Sequence, residues 1–345
     1  MLSYQDMFNF IKTLQFFHIL LKQRVDGVQI EEHHLTLENG VEMPIDVYDY
    51  KTHPKGYIVF VHGKNRPGYR DPRGIAFCKA MAHYGYRVIA PSYQRISNLQ
   101  INIDVVNDVV FSINDILHKT DLVPTQQLAI FTVSYSGTIA LHAAAKPLIN
   151  QHISAFCTIG SSSSFVRSCR HALSEKGCTD IYARLIFLRA LFHYSKDKDD
   201  ALDKALVCAI DDDFAKHQTH DLTDYLTTLP TEQAQQYQHI VDNIMHTDHY
   251  LTQYQDVIDD LENRLTRSSD LHDLRCKIAL IHSVKDKIFP PAESAAMYDD
   301  FTRMGIETKM VITPLLDHVD ANFSLRKIKD IWRLINVFSF FFKHV

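Results

Sequence analysis

Apolar and polar positions along this chain follow two rhythms, and the change between them outlines the architecture. Val28 to Leu37 and Val41 to Tyr50 read as strands flanking Glu38-Asn39-Gly40. Asn-Gly between β-like runs predicts a hairpin. Tyr57 to Val61 is a continuous apolar run, as a strand buried on both faces requires. A helical stretch from Ile75 to Tyr84 follows, then a strand over Tyr86–Ala90 stopped by Pro91. Ile103, Val106, Val110, Ile113 and Leu117 form a helical stripe, Leu128–Val133 a strand, Gly137–Ala145 a small-residue helix and Ile153–Ile159 another strand. Short buried strands alternating with helices predict an α/β fold with a doubly wound, mostly parallel sheet.

The alternation stops after Gly160-Ser-Ser-Ser-Ser164. From there to about Arg275 the pattern is helical, over Ile181–Phe192, Ala201–Ile210, Glu232–Met245 and Tyr250–Leu265. It resumes with a strand at Ile278–His282, a helix at Glu293–Met304 and a strand at Thr308–Thr313. A last helix carries Leu325, Ile328, Trp332, Ile335 and Phe338 on one face. The expected organisation is a core of residues 28–160 and 276–345, with residues 161–275 inserted as a helical cap. Residues 1–27 form an N-terminal amphipathic helix, with Met7, Phe10, Ile11, Leu14, Phe17 and Leu21 at helical spacing. That helix is expected to pack on the core, with peripheral membrane or partner contact as the alternative.

Composition narrows the function more than the fold. With 345 residues, 46% of them hydrophobic, the chain can bury a large core. A net charge of −5 offers no basic field to nucleic acid. Six cysteines without a CxxC pair predict neither a disulfide framework nor a zinc ribbon. The first residues lack a basic n-region and a small-residue cleavage site, and polar residues interrupt their apolar run. The expected location is therefore cytoplasmic, with attachment to a membrane periphery left open.

The candidate chemistry sits at strand ends. Leu128 to Val133 runs straight into Ser134 and then a small-residue helix, the context of a nucleophile elbow. Positions two either side of such a serine are usually glycine; here they are Thr132 and Ser136, with Gly137 next. Ser136 is the rival nucleophile. Choosing Ser134 puts Ser136, Gly137 and Ala140 where helix and sheet pack closely. Asp286 follows the strand ending at His282 and precedes an Ile-Phe-Pro step. His318 follows the last strand, completing the chain order Ser…Asp…His. Asp317 and Asp320 are alternative acids, less suited because sequence neighbours rarely face the same ring nitrogen. The amides of Lys64, just after His62-Gly63, and of Tyr135 would form the oxyanion hole.

With this ordered set the chain resembles the α/β-hydrolase superfamily, in its lysophospholipase, esterase and serine-aminopeptidase-like branch. The resemblance covers roughly residues 28–160 and 276–345. It implies a cofactor-independent serine hydrolase with Ser134, Asp286 and His318 as triad and a small-molecule ester or acyl compound as substrate. Thioester cleavage or acyl transfer is an alternative, and a non-catalytic binding protein on the same fold another. Lys64, Arg66, Arg70 and Arg73 crowd one loop and suggest either a solvated rim or an anion-binding patch. His217-x-x-His220 and His246-x-x-His249 have ligand-like spacing, but no further ligands complete a set, so no metal is expected.

Overall fold

A computed structural model describes residues 13–20, 25–38, 40–50, 53–118, 121–214, 219–317, 320–321 and 328–345. Strands β1 (Gln29–Thr36) and β2 (Glu42–Asp49) pair antiparallel, with Leu35 opposite Met43. β2 joins β4 (Arg87–Pro91) antiparallel. From β4 the sheet continues in parallel through β3 (Tyr57–Val61), β5 (Leu128–Val133), β6 (Ile153–Ile159), β7 (Lys277–Ser283) and β8 (Thr308–Thr313). The eight-stranded order is β1-β2-β4-β3-β5-β6-β7-β8. The sheet is thus mostly parallel, its order reversing about β3.

The continuous apolar runs exist because both faces of the sheet are covered. Successive side chains of a strand point to opposite faces. Ile58 and Phe60 join Ala129 and Phe131 in one core, while Val59 and Val61 join Ile130 in the other. The first core is closed by α1 (residues 13–20), α2 (Pro72–Tyr84) and α14 (Ile328–Lys343). The second is closed by α4 (Val105–His118), α5 (Tyr135–Ala144) and α13 (Ala292–Arg303). A short α3 (Gln94–Ser97) follows β4.

Two apolar faces differ from the spacing-based expectation. In α1, Phe16 is fully buried and packs on Phe338 and Phe342, whereas Leu14 is 41% exposed. Met7, Phe10, Ile11 and Leu21 lie outside the described residues. In α14, Leu334, Ile335, Phe338 and Phe341 are buried, but Trp332 is 47% exposed. At 100° per residue Trp332 sits about 120° round from Phe338, past the edge of the buried stripe. No helix among the described residues is long and apolar enough to cross a membrane.

Between β6 and β7 the chain forms α6 (Phe165–Leu173), α7 (Ile181–Tyr194), α8 (Asp200–Phe214), α9 (Asp221–Leu226), α10 (Thr231–Asp242), α11 (Asp248–Gln253) and α12 (Gln255–Leu265). Arg184, fully buried on α7, holds this insertion together. Its guanidinium donates to the carbonyls of Cys178, Ser174 and Ile244 at 2.7, 2.6 and 3.2 Å and to Thr247 Oγ1 at 3.1 Å. These carbonyls lie in the turns after α6 and α10, so one buried side chain ties three segments of the insertion together.

Candidate active site

β5 delivers the chain to Ser134 in a conformation most residues avoid. Its φ of 57° and ψ of −148° lie in a region nearly reserved for glycine, at a cost of roughly 1–3 kcal/mol. Three bonds hold it there. Ser134 N–H donates to the Ile159 carbonyl at 2.7 Å, and its own carbonyl accepts from Gly137 N–H at 2.9 Å and Ser161 Oγ at 2.7 Å. Of residues 132 to 136 only Ser134 is not buried. Ser136 has no exposed surface, and its hydroxyl meets no partner among the described residues. The close approach that glycine usually serves at position 136 falls on Gly137 instead. A Cβ there would sit 2.0 Å from Ser161 Oγ and 2.2 Å from Thr158 Oγ1. Thr132 is accommodated within the ladder, opposite Val61 and Thr158, although its hydroxyl is likewise without a partner.

Ser134 opens on a cavity of about 360 Å³. Its walls include Phe77, Val133, Ile186, Phe187 and Phe289, and Lys64 and Tyr135 line it too. Tyr135 begins α5, so its N–H has no acceptor within the helix. The loop carrying Lys64 is fixed by His62. This buried imidazole accepts from Tyr93 N–H through Nε2 at 3.2 Å and donates through Nδ1 to the Gly63 carbonyl at 2.9 Å. Burial pushes its pKa down to about 4, so the ring stays neutral. Lys64 Nζ donates to the Gln100 carbonyl at 2.7 Å. Burial, with Arg189 adding to it, brings that amine down to about 7.

The neighbouring arginines are committed to acids. Arg66 makes a two-pronged pair with Asp211 at 2.6 Å on both bonds. Arg70 binds Asp46 and Glu32, and Arg73 binds Asp71. The cluster that suggests an anion site in the sequence is mostly a set of internal ion pairs.

Asp286 follows β7, its side chain fully buried. Oδ1 accepts from the Ile288 and Phe289 amides at 2.9 Å each. Oδ2 lies 3.5 Å from His282 Nε2. His282 in turn donates from Nε2 to the Phe289 carbonyl at 3.0 Å, and its Nδ1 accepts from Ser294 Oγ at 2.7 Å. Ile288 and Phe289 reach the cavity wall, so the loop of Asp286 borders it. His318 lies outside the described residues, between the short strands β9 (Leu316–Asp317) and β10 (Asp320–Ala321). The Leu316 carbonyl accepts from Ser283 Oγ at 2.5 Å, and that same hydroxyl accepts from Lys285 N–H at 3.0 Å. Ser283 therefore ties the chain two residues before His318 to the loop of Asp286.

Among the described residues no cluster of three histidine, cysteine or acidic side chains could hold a metal. His217 lies outside them, and His246 contacts Glu175 at 3.2 Å. All six cysteines are unpaired. His62 and His282 hold their loops through buried hydrogen bonds that the sequence does not reveal; in it His62 marks only the turn before Lys64 and His282 only the end of a strand. Their only signal was a histidine at or near a strand end, one feature among 20 histidines.

Neither a protein-family model nor a curated protein matches this chain. Solved structures do. A Legionella pneumophila protein whose assignment as a hydrolase is provisional superposes with a TM-score of 0.58 at 15% identity, covering 96% of this chain and 95% of its own. The acylaminoacyl peptidase of Pyrococcus horikoshii gives 0.54 at 15% identity over 94% of this chain. A puromycin-hydrolysing peptidase of Mycobacterium tuberculosis gives 0.51 at 13% over 89%. This chain spans only 43% and 38% of those two peptidases. With its parallel sheet, its strand order and this likeness, the chain has the α/β-hydrolase fold.

Proposed function

We propose that the protein is a serine hydrolase that cleaves a carboxylic ester through an acyl-enzyme, with Ser134 as nucleophile, His318 as base and Asp286 as the acid that orients the base. The observation that carries this reading is Ser134 itself. A non-glycine residue is held in a strained conformation at the wall of an apolar cavity shared with two candidate oxyanion amides. Strain of this kind persists where surroundings over-determine it, and an exposed nucleophile is what such a turn provides.

In the first half-reaction His318 takes the proton of Ser134 Oγ as the oxygen attacks the substrate carbonyl. The Lys64 and Tyr135 amides receive the oxyanion, and His318 returns the proton to the departing alcohol. Water, deprotonated by His318, then attacks the acyl-enzyme. Collapse of that intermediate frees the acid and restores Ser134. Asp286, held rigidly by two amides, keeps the imidazole tautomer and stabilises the imidazolium. The helices inserted between β6 and β7 act as a cap, contributing Ile186 and Phe187 to an acyl-binding wall.

An ester is favoured because Phe77, Val133, Ile186, Phe187 and Phe289 give the cavity an apolar wall beside its polar lining of Lys64, Asn65 and Asp180. The same groups would serve an amide, and the structural likeness to two peptidases makes that the second substrate class to assay. Hydrolysis of a short-chain aryl ester by the wild type and by Ser134→Ala tests the reading. Loss of the nucleophile should lower kcat by several orders of magnitude. A Ser134→Ala protein with undiminished esterase activity would overturn it.

A further inference from the structure

Lys64 stands between two peptide planes, and each plane is pinned by a different part of the molecule. The plane before it is held by the core, through His62 Nδ1 and the Gly63 carbonyl. In a trans peptide the N–H points opposite to the C=O of the same plane, so this bond aims the Lys64 N–H. The plane after it is held from outside the core. Tyr182 on α7 donates its hydroxyl to the Lys64 carbonyl at 2.7 Å, across 118 positions of sequence. Two residues further on, Arg66 is clamped to Asp211 on α8 by the two 2.6 Å bonds.

α7 and the turn before it meet the other two loops of the site as well. Cys178 Sγ donates to the Lys287 carbonyl at 2.9 Å, one residue past Asp286. The Phe187 ring packs edge-on against Tyr135, the residue after Ser134, at 5.8 Å. One stretch of the insertion thus touches the elbow, the oxyanion loop and the acid loop. A cavity wall alone needs no polar tether to a backbone carbonyl of the loop that lines the same cavity as Ser134.

We propose that the cap is a working part of the oxyanion hole, with Tyr182 as a positioning residue that fixes the Lys64 amide and the Arg66–Asp211 pair as its second tether. This rests on the serine hydrolase reading above. Without the Tyr182 hydroxyl the plane after Lys64 is free to turn, and the His62 bond is left alone to hold the Lys64 N–H against the motion of the loop that follows it. The consequence falls on the transition state, where the oxyanion forms, rather than on the bound ester.

The test compares wild type, Tyr182→Phe, Asp211→Asn and the double variant on a short-chain aryl ester, with an aryl boronic acid as probe of the tetrahedral state. Tyr182→Phe should lower kcat about tenfold or more, since removing an oxyanion donor outright costs about 10²–10³. KM should stay within about twofold, and boronate affinity should weaken in proportion to kcat/KM. Asp211→Asn should act in the same direction, and the two losses should not be additive, because both tethers hold one loop. Wild-type kcat and boronate affinity in Tyr182→Phe would overturn the proposal while leaving the hydrolase reading intact. A wild-type protein without esterase or amidase activity would overturn both. Should Tyr182→Phe prove unfolded by its melting curve, Asp211→Asn decides alone, and wild-type kcat there counts against the proposal.

Discussion

Ser161 Oγ donates to the carbonyl of Ser134 at 2.7 Å, so the turn after β6 braces the turn after β5. Gly137 lies against the same hydroxyl so closely that no side chain fits there. The elbow is therefore held by backbone and hydroxyl contacts on one side of Ser134, and Ser136 takes no part in them. Ser136→Ala should stabilise the protein by about 1 kcal/mol, by removing a buried hydroxyl without a partner and placing a better helix former in α5. Esterase activity should be retained. Urea unfolding of both proteins checks the first expectation, and a loss of more than about 1 kcal/mol would show that Ser136 Oγ has a partner after all.

The insertion should depend on Arg184 far more than any surface cation. Arg184→Met leaves the carbonyls of Cys178 and Ile244 buried without the guanidinium donor, and the Ser174 carbonyl with Gly177 N–H alone. The loss should be on the order of 4 kcal/mol. Limited proteolysis should then cut first within residues 165–265. A variant with an unchanged melting temperature would mean that water reaches these carbonyls.

Acid should weaken the fold through two histidines. Burial pushes His62 and His142 down to about 4, below the ordinary value near 6.5. The unfolded chain therefore binds more protons between those limits. The stability these rings contribute is complete above about pH 6.5 and is lost as pH falls toward 4, at about 1.4 kcal/mol per pH unit for each ring. Urea unfolding at pH 7 and pH 5 measures the slope. His142→Leu should flatten it by about one ring's share, and an unchanged slope would mean that His142 titrates normally in the fold.

Catalysis should carry a separate acid limb. Protonated His318 cannot accept the proton of Ser134, so kcat/KM should fall around the ordinary histidine value, within about a unit of 6.5. A rate flat down to about pH 4.5 would exclude a histidine base.

The sheet was legible because its signal is local. Tyr57–Val61 and Leu128–Val133 are apolar at every position but Thr132, and both faces of each are buried. The strand-to-helix junction at Ser134 was legible for the same reason. What joins the site was not, because its bonds run between distant positions. Tyr182 reaches Lys64 across 118 positions and Arg66 reaches Asp211 across 145. Without those acids in view, Arg66 and Arg70 read as a basic patch. At the end of a buried apolar strand, His282 reads as one more core residue. Trp332 and Leu14 were misassigned because spacing locates a stripe but not its edges.

Ser134, and no other residue, should act as the nucleophile. Treating the wild-type protein with a fluorophosphonate and locating the adduct by tandem mass spectrometry tests it most directly, since only an activated serine reacts and fragment ions separate position 134 from 136. A single stoichiometric adduct is expected on Ser134, abolished by Ser134→Ala and kept in Ser136→Ala. An adduct on Ser136, or a protein that stays unlabelled while hydrolysing ester, would contradict it.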